Sequence, residues 1–190
     1  MGFTLQAQTV DMSSFHGMTP RNIGPAGMSG RVTAIDVDLN DTDNIYIGAA
    51  AGGVWKSENA GHTWTPIFDD QKAASIGDIE IYQKNPNIIY VGTGEGNPRN
   101  SQNSGRGMFK SIDGGRSWDA IGLENTRQIH RIIIDPDNPD EVVVGVSGAT
   151  WGESQDRGIY KTMDGGQSWK KVLYVDEKTG IADLVVDPSN

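Results

Sequence analysis

Apolar and polar residues alternate along this chain in short runs, and the runs recur in a fixed order. Residues 32–37, 76–81 and 129–134 read as strands rich in β-branched residues. A turn rich in Asn, Asp and Pro follows each, as in Asp135-Pro136-Asp137-Asn138-Pro139. Short runs ending in Gly come next: Ile45-Tyr46-Ile47-Gly48, Ile89-Tyr90-Val91-Gly92 and Val142-Val143-Val144-Gly145. A third set, Gly53-Val54-Trp55-Lys56, Gly107-Met108-Phe109-Lys110 and Gly158-Ile159-Tyr160-Lys161, completes the pattern.

An octet closes each unit. The three copies are Ser57-Glu58-Asn59-Ala60-Gly61-His62-Thr63-Trp64, Ser111-Ile112-Asp113-Gly114-Gly115-Arg116-Ser117-Trp118 and Thr162-Met163-Asp164-Gly165-Gly166-Gln167-Ser168-Trp169. Their tryptophans are 54 and 51 positions apart. Each unit thus reads strand, turn, strand, loop, strand, octet, strand. Four antiparallel strands in about 50 residues make a propeller blade. The fold class expected is all-β, a β-propeller segment of three four-stranded blades plus the first strand of a fourth. The boundaries expected are a lead-in over 1–27, blades over 28–68, 69–121 and 122–174, and the start of a fourth over 175–190. Three blades and a strand do not close a ring, so the chain is expected to be the N-terminal part of a longer polypeptide, or to self-associate.

The octet residues are expected to be structural. Asn59, Asp113 and Asp164 fold their side-chain oxygens onto nearby backbone N–H groups. Gly61, Gly115 and Gly166 supply a positive φ. Trp64, Trp118 and Trp169 pack between sheets, and Ser57, Ser111 and Thr162 open the turn. The first copy departs from the others, with Asn59 in place of Asp.

Composition narrows the function classes. Lys plus Arg is 16 and Asp plus Glu is 25, a formal charge of −9. That balance opposes nucleic acid and anionic lipid, which need a basic face. No apolar run is long enough for a membrane-spanning helix. There is no Cys, which excludes disulfides, thiolate chemistry and Cys-ligated zinc. The 25 glycines, with no collagen period, imply many tight turns. His16, His62 and His130 have no metal-ligand spacing, and no metal or other cofactor is expected. Asp36-x-Asp38-x-Asn40 opens like a calcium loop, but Asp41 replaces its Gly and Ile47 its closing Glu. Gly92-x-Gly94-x-Gly96 follows a strand but leads to Pro98, with no helix to hold a phosphate. Leu5-Gln6-Ala7-Gln8 reads either as the end of a clipped export signal or as a flexible tail.

The octets are identified as Asp-boxes, also called BNR repeats. With three further stretches they make the chain resemble exported bacterial proteins with sortilin-type propellers, often labelled glycosyl-hydrolase-like. Those stretches are residues 20–32, Gly92-Thr93-Gly94-Glu95-Gly96-Asn97-Pro98-Arg99-Asn100 and Thr150-Trp151-Gly152-Glu153. The resemblance implies a larger propeller on an exported protein and delivers no chemistry. Sialidases and xyloglucan-cleaving enzymes also carry Asp-boxes. Arg21-Asn22-Ile23-Gly24-Pro25 matches the sialidase Arg-Ile-Pro motif only loosely. In the xyloglucan enzymes the general base is an Asp before Gly-Gly, where this chain has Ala49-Ala50-Ala51-Gly52-Gly53.

Site candidates therefore come from the rim opposite the octets, where strand two meets strand three and strand four the next blade. The second blade's loop carries Glu95, Asn97 and Arg99, and the third's carries Trp151, Glu153 and Arg157. These loops are expected either to bind sugar hydroxyls, with Trp151 as a stacking platform and Glu95 or Glu153 as acceptor, or to be solvated rim loops held by Glu–Arg pairs. Arg31 and Arg131 join the binding candidates. Aligned first strands put Thr33, Asp78, Arg131 and Asp183 at one position, a polar ring that holds a ligand or pairs its own charges. Glycoside hydrolysis needs two carboxylates, for which Glu95 and Glu153 are the candidates, with Asp69 and Asp70 as others. The leading expectation is a noncatalytic exported propeller that binds a glycan or protein partner. The alternatives are a glycoside hydrolase with further site residues beyond 190, and a purely architectural module.

Overall fold

The computed structural model describes residues 30–97, 99–100 and 102–187. The lead-in over 1–27, its Leu5-to-Gln8 run and His16 lie outside them. Three four-stranded antiparallel sheets follow one another, each with its strands in sequence order. The first holds β1 (Val32–Val37), β2 (Asn44–Ala49), β3 (Gly53–Glu58) and β4 (Thr65–Pro66). The second holds β5 (Ile76–Ile81), β6 (Ile89–Thr93), β7 (Met108–Ser111) and β8 (Asp119–Ala120). The third holds β9 (Ile129–Ile134), β10 (Val142–Val146), β11 (Gly158–Thr162) and β12 (Lys170–Leu173). β1 packs beside β5 and β5 beside β9, the arrangement of successive propeller blades.

Every first hairpin carries a one-residue bulge. The extra residues are Thr33, Gly77 and His130. This register corrects the sequence alignment of the first strands. Ala34 lies opposite Gly48 as Asp78 lies opposite Gly92 and Arg131 opposite Gly145. Thr33 belongs one position earlier, and a one-residue slip puts a side chain on the other face.

Two apolar cores lie between adjacent blades. The first joins Ile76, Ile79 and Ile81 of β5 to Tyr46, Val54 and Phe68 of the first blade. There Phe68 meets Phe109 and Trp118 edge-on, with ring centroids 5.1 and 5.2 Å apart. The second joins Ile129 and Ile132 of β9 to Tyr90 and Met108. β6 is buried along its whole length because apolar neighbours cover both faces. Gly is required where the blades pinch together. A Cβ on Gly48 would stand 2.4 Å from Ile76 Cγ2, and one on Gly92 2.8 Å from Ile129 Cγ2. At Gly145 the corresponding neighbour is Ile181 Cγ2, at 3.1 Å.

Ile181 belongs to the segment expected as the first strand of a fourth blade. The segment lies against the third sheet, with the Ile181 N–H donating to the Val146 carbonyl at 3.3 Å. It is not a strand, because no second strand of a fourth sheet stands among the described residues to pair with it. At the other end, Val32 and Ile35 are 55% and 64% exposed, while their counterparts Ile76 and Ile79 are 0% and 2%. Among the described residues a blade precedes β5 and none precedes β1.

The octets form one turn three times. Asp113 Oδ1 accepts from the N–H groups of Arg116 and Ser117, at 3.0 and 2.9 Å. Its Oδ2 accepts from the Ser117 hydroxyl at 2.6 Å. These bonds hold the half-buried Asp113 carboxyl down at about 2. Asp164 repeats the arrangement with Ser168, again near 2. Asn59 keeps the bond from the Thr63 N–H at 2.8 Å but reverses the last one, its amide donating to the Thr63 hydroxyl. The octet tryptophans bolt blades together. Trp118 Nε1 donates to the Ile67 carbonyl at 2.8 Å, and Trp169 Nε1 to the Ile121 carbonyl at 2.6 Å.

Candidate functional site

The rim away from the octets is built from loops that differ in each blade. In the second blade the chain leaves β6 through Gly94, whose φ of +94° other residues resist. A Cβ there would also stand 1.8 Å from the Arg127 carbonyl oxygen, so the loop lies directly on the connection to the third blade. Glu95 is next and is 1% exposed. Its carboxylate takes two bonds from Arg31, Nη2 at 2.7 Å and Nε at 3.3 Å. Its N–H donates to Ser75 Oγ at 3.0 Å. A buried carboxylate with a two-pronged guanidinium partner is a fixed strut, and removing Arg31 strands the buried carboxylate. Gly96 rests on the His130 ring, and a Cβ there would stand 2.3 Å from His130 Cγ. His130 donates from Nε2 to the Ala182 carbonyl at 3.1 Å in the tautomer that leaves Nδ1 bare, and Nδ1 is buried without a partner. Burial pushes the His130 pKa down, keeping the ring neutral. The Gln102 amide bonds the Asn97 and Glu95 carbonyls, and Arg99 is exposed.

The third blade's loop is stapled from within. Arg157 donates to the carbonyls of Ser147, Ala149, Gly152 and Glu177. The Gln128 amide holds the Thr150 hydroxyl and accepts from the Ser147 hydroxyl at 3.2 Å. Between these anchors Trp151 stands 77% exposed. Glu153 forms an exposed ion pair with Lys178 at 3.2 Å. The structure thus joins Arg31 to Glu95 but gives Glu95 and Glu153 separate partners. Asp69 and Asp70 are exposed on the connection after the first blade.

The inner strands carry the most perturbed acids. Asp36 Oδ2 accepts from the Ile81 N–H at 2.7 Å, and Asp78 Oδ2 from the Ile132 N–H at 2.8 Å. Burial raises both carboxyls, Asp78 to about 6. Glu80 rises further, to about 8, through burial and then the nearby Asp36 and Asp78 charges. Sequence reading singled out Asp78, took Asp36 only as the start of a failed calcium loop, and passed over Glu80, though the alternation of Asp78 and Glu80 with Ile79 and Ile81 marked a polar face. Thr33 donates to the Ile76 and Gly48 carbonyls, and Arg131 pairs with Asp183. The aligned polar residues therefore bond the next blade or the segment after β12. Among the described residues no group of three or more acidic or His side chains is placed to hold a metal ion.

Comparison with known proteins fits this architecture. The family model Sortilin-Vps10, described as sortilin, neurotensin receptor 3, matches residues 52–182. A xyloglucanase of a Paenibacillus species is 22% identical over 185 residues, 90% of this chain but 17% of that enzyme. Among solved structures, an ancestral GH74 enzyme superposes with a TM-score of 0.60 at 21% identity, over 85% of this chain and 20% of that one. YCF48 bound to D1 peptide superposes at 0.58 with 15% identity, over 85% and 46%. The chain spans about a sixth of the length of the xyloglucanase it matches.

Proposed function

The chain belongs to the Sortilin-Vps10 family, and on that premise we propose that it is part of a noncatalytic binding propeller, taking a glycan or protein partner on its variable rim. The observation that carries this reading is Trp151. An indole that is 77% exposed is costly to keep in water, and here it sits on a loop whose backbone Arg157 and Gln128 immobilise. A rigid aromatic displayed this way loses little entropy when a ligand stacks on it. The relatives support both partner types, since one is named a xyloglucanase and another is bound to a peptide. The exposed Val32 and Ile35, and Ile181 seated on Gly145, suit further blades at either end, from a longer exported polypeptide or from self-association.

A glycoside hydrolase is the second reading, favoured by the xyloglucanase likeness. It requires an acid–base pair that Glu95 does not supply while clamped by Arg31. The test is a glycan array followed by a reducing-end assay. Binding that Trp151→Ala abolishes, without release of reducing ends, is the expected result. Turnover by this chain establishes the hydrolase instead. Absence of any glycan or peptide ligand leaves the architectural role.

A further inference from the structure

A second feature of the same rim was not singled out by the sequence. A groove of about 440 Å³ opens where the second blade's loop, the connection to the third blade and the third blade's loop meet. Ser104, Arg106, Glu124, Asn125, Arg127 and Asp156 line it. It is open and mostly polar, which suits a hydroxyl-rich ligand rather than an apolar one.

Its frame is rigid. The Gly105 N–H donates to the Arg127 carbonyl at 2.6 Å, and the Arg106 N–H donates to Thr93 Oγ1 at 2.7 Å. Thr126, 2% exposed, returns its hydroxyl to the Leu123 carbonyl at 2.7 Å. Leu123 and Arg127 hold φ at +60° and +62°, a left-handed conformation that non-glycine residues adopt at a cost. The surroundings hold both residues there, and both flank the groove.

The charges are left free. Neither the Arg106 nor the Arg127 guanidinium has a hydrogen bond or ion pair among the described residues. Arg31, Arg131 and Arg157 are all engaged by contrast. Glu124 and Asp156 line the same groove without pairing with either arginine. Two open guanidiniums suit a carboxylate, which they bind in a planar, two-pronged geometry. The carboxylates, with the Asn125 amide and Ser104 hydroxyl, suit a ligand rich in hydroxyl donors.

We propose that this groove binds the carboxylate and hydroxyls of an acidic saccharide, with Arg106 and Arg127 as the anion clamp. The inference rests on the binding-propeller reading and names the ligand class for it. An acidic peptide brings the carboxylate but fewer hydroxyl donors. A phosphate or sulfate ester brings more negative charge against Glu124 and Asp156.

The test is calorimetric titration of this chain with an oligogalacturonate, its methyl ester and a Glu-rich peptide. The acidic sugar is expected to bind at least about tenfold tighter than the ester. Arg106→Gln and Arg127→Gly should each weaken it about tenfold, and the second keeps the fold because Gly takes a φ of +62° freely. Glu124→Gln should tighten binding severalfold by removing a like charge, which a purely structural role would not do. Equal binding of acid and ester, or indifference to both arginine variants, overturns the clamp. If a neutral glycan still binds through Trp151, only the clamp falls. Preference for the peptide overturns the saccharide assignment. Binding of none of these or of neutral glycans removes the binding reading with it.

Discussion

The two rims of this molecule follow opposite rules. On the octet rim, three turns share one hydrogen-bond scheme, in which the Asp or Asn side chain closes on an N–H four residues on. On the other rim no two loops are alike. Their struts cross long stretches of chain, as Arg31 to Glu95 does over 64 residues. Repetition marks the places where local chemistry closes on itself. Variation marks the places that leave groups available, such as the Trp151 face and the Arg106 and Arg127 guanidiniums.

The hardest test of that contrast is Trp118→Ala. The indole is buried between two blades, and its loss should cost about 3–5 kcal/mol in chemical denaturation. Trp64→Ala should cost far less, because Trp64 is half-buried and its indole nitrogen has no partner among the described residues. Equal costs would break the idea that the octet Trp acts as a bolt between blades.

Next in size is the wall that joins the rims. Glu80 is raised to about 8, so the folded chain holds its proton where the unfolded chain has released it. Its contribution to stability is therefore full below about pH 4.5 and is lost as pH rises toward 8. Over that window the loss should be about 2–4 kcal/mol, and Glu80→Gln should flatten it. Denaturation midpoints at several pH values give the slope. An unchanged slope in the variant would place the titration elsewhere.

The octet acids respond with the opposite sign. Asp113 and Asp164 lie near 2, so their stabilisation is present above about pH 4 and fades as pH falls toward 2. Both are half-buried turn residues whose carboxyls are screened by solvent, so the effect is small. Asp113→Asn, which copies the first octet, should cost less than about 1 kcal/mol at pH 7 and lessen the acid sensitivity. The smallest stability effect belongs to Trp151→Ala, within about 0.5 kcal/mol in thermal melts. A clear destabilisation there would mean that the Trp151 loop is as structural as the octets.

The contrast also explains what the sequence made legible. The first strands 32–37, 76–81 and 129–134 were found to the residue, because bulged hairpins and octets are fixed by neighbours in sequence. The turn role of Asp113 and Asp164 was equally local. The ring position was misread by one residue at Thr33, since a bulge inserts a residue without changing the apolar pattern. Residues 181–186 carry strand chemistry, yet a strand is a property of a pair. Glu95 read either as a sugar acceptor or as half of a solvated Glu–Arg pair; it is paired but buried, and its arginine is Arg31, which lies next to it only in three dimensions. Arg106 and Arg127 sit in unremarkable stretches. Only the fold shows that the two meet over one groove.

The pinch between Gly48 and Ile76, repeated at Gly92 and Ile129 and again at Gly145 and Ile181, has an evolutionary consequence. Each unit offers a glycine to its successor and an isoleucine or its like to its predecessor. A duplicated stretch of the gene therefore arrives carrying both halves of its own joint. Adding or removing a whole unit therefore leaves each remaining joint with its glycine and its isoleucine, and asks for no compensating substitution in the neighbours.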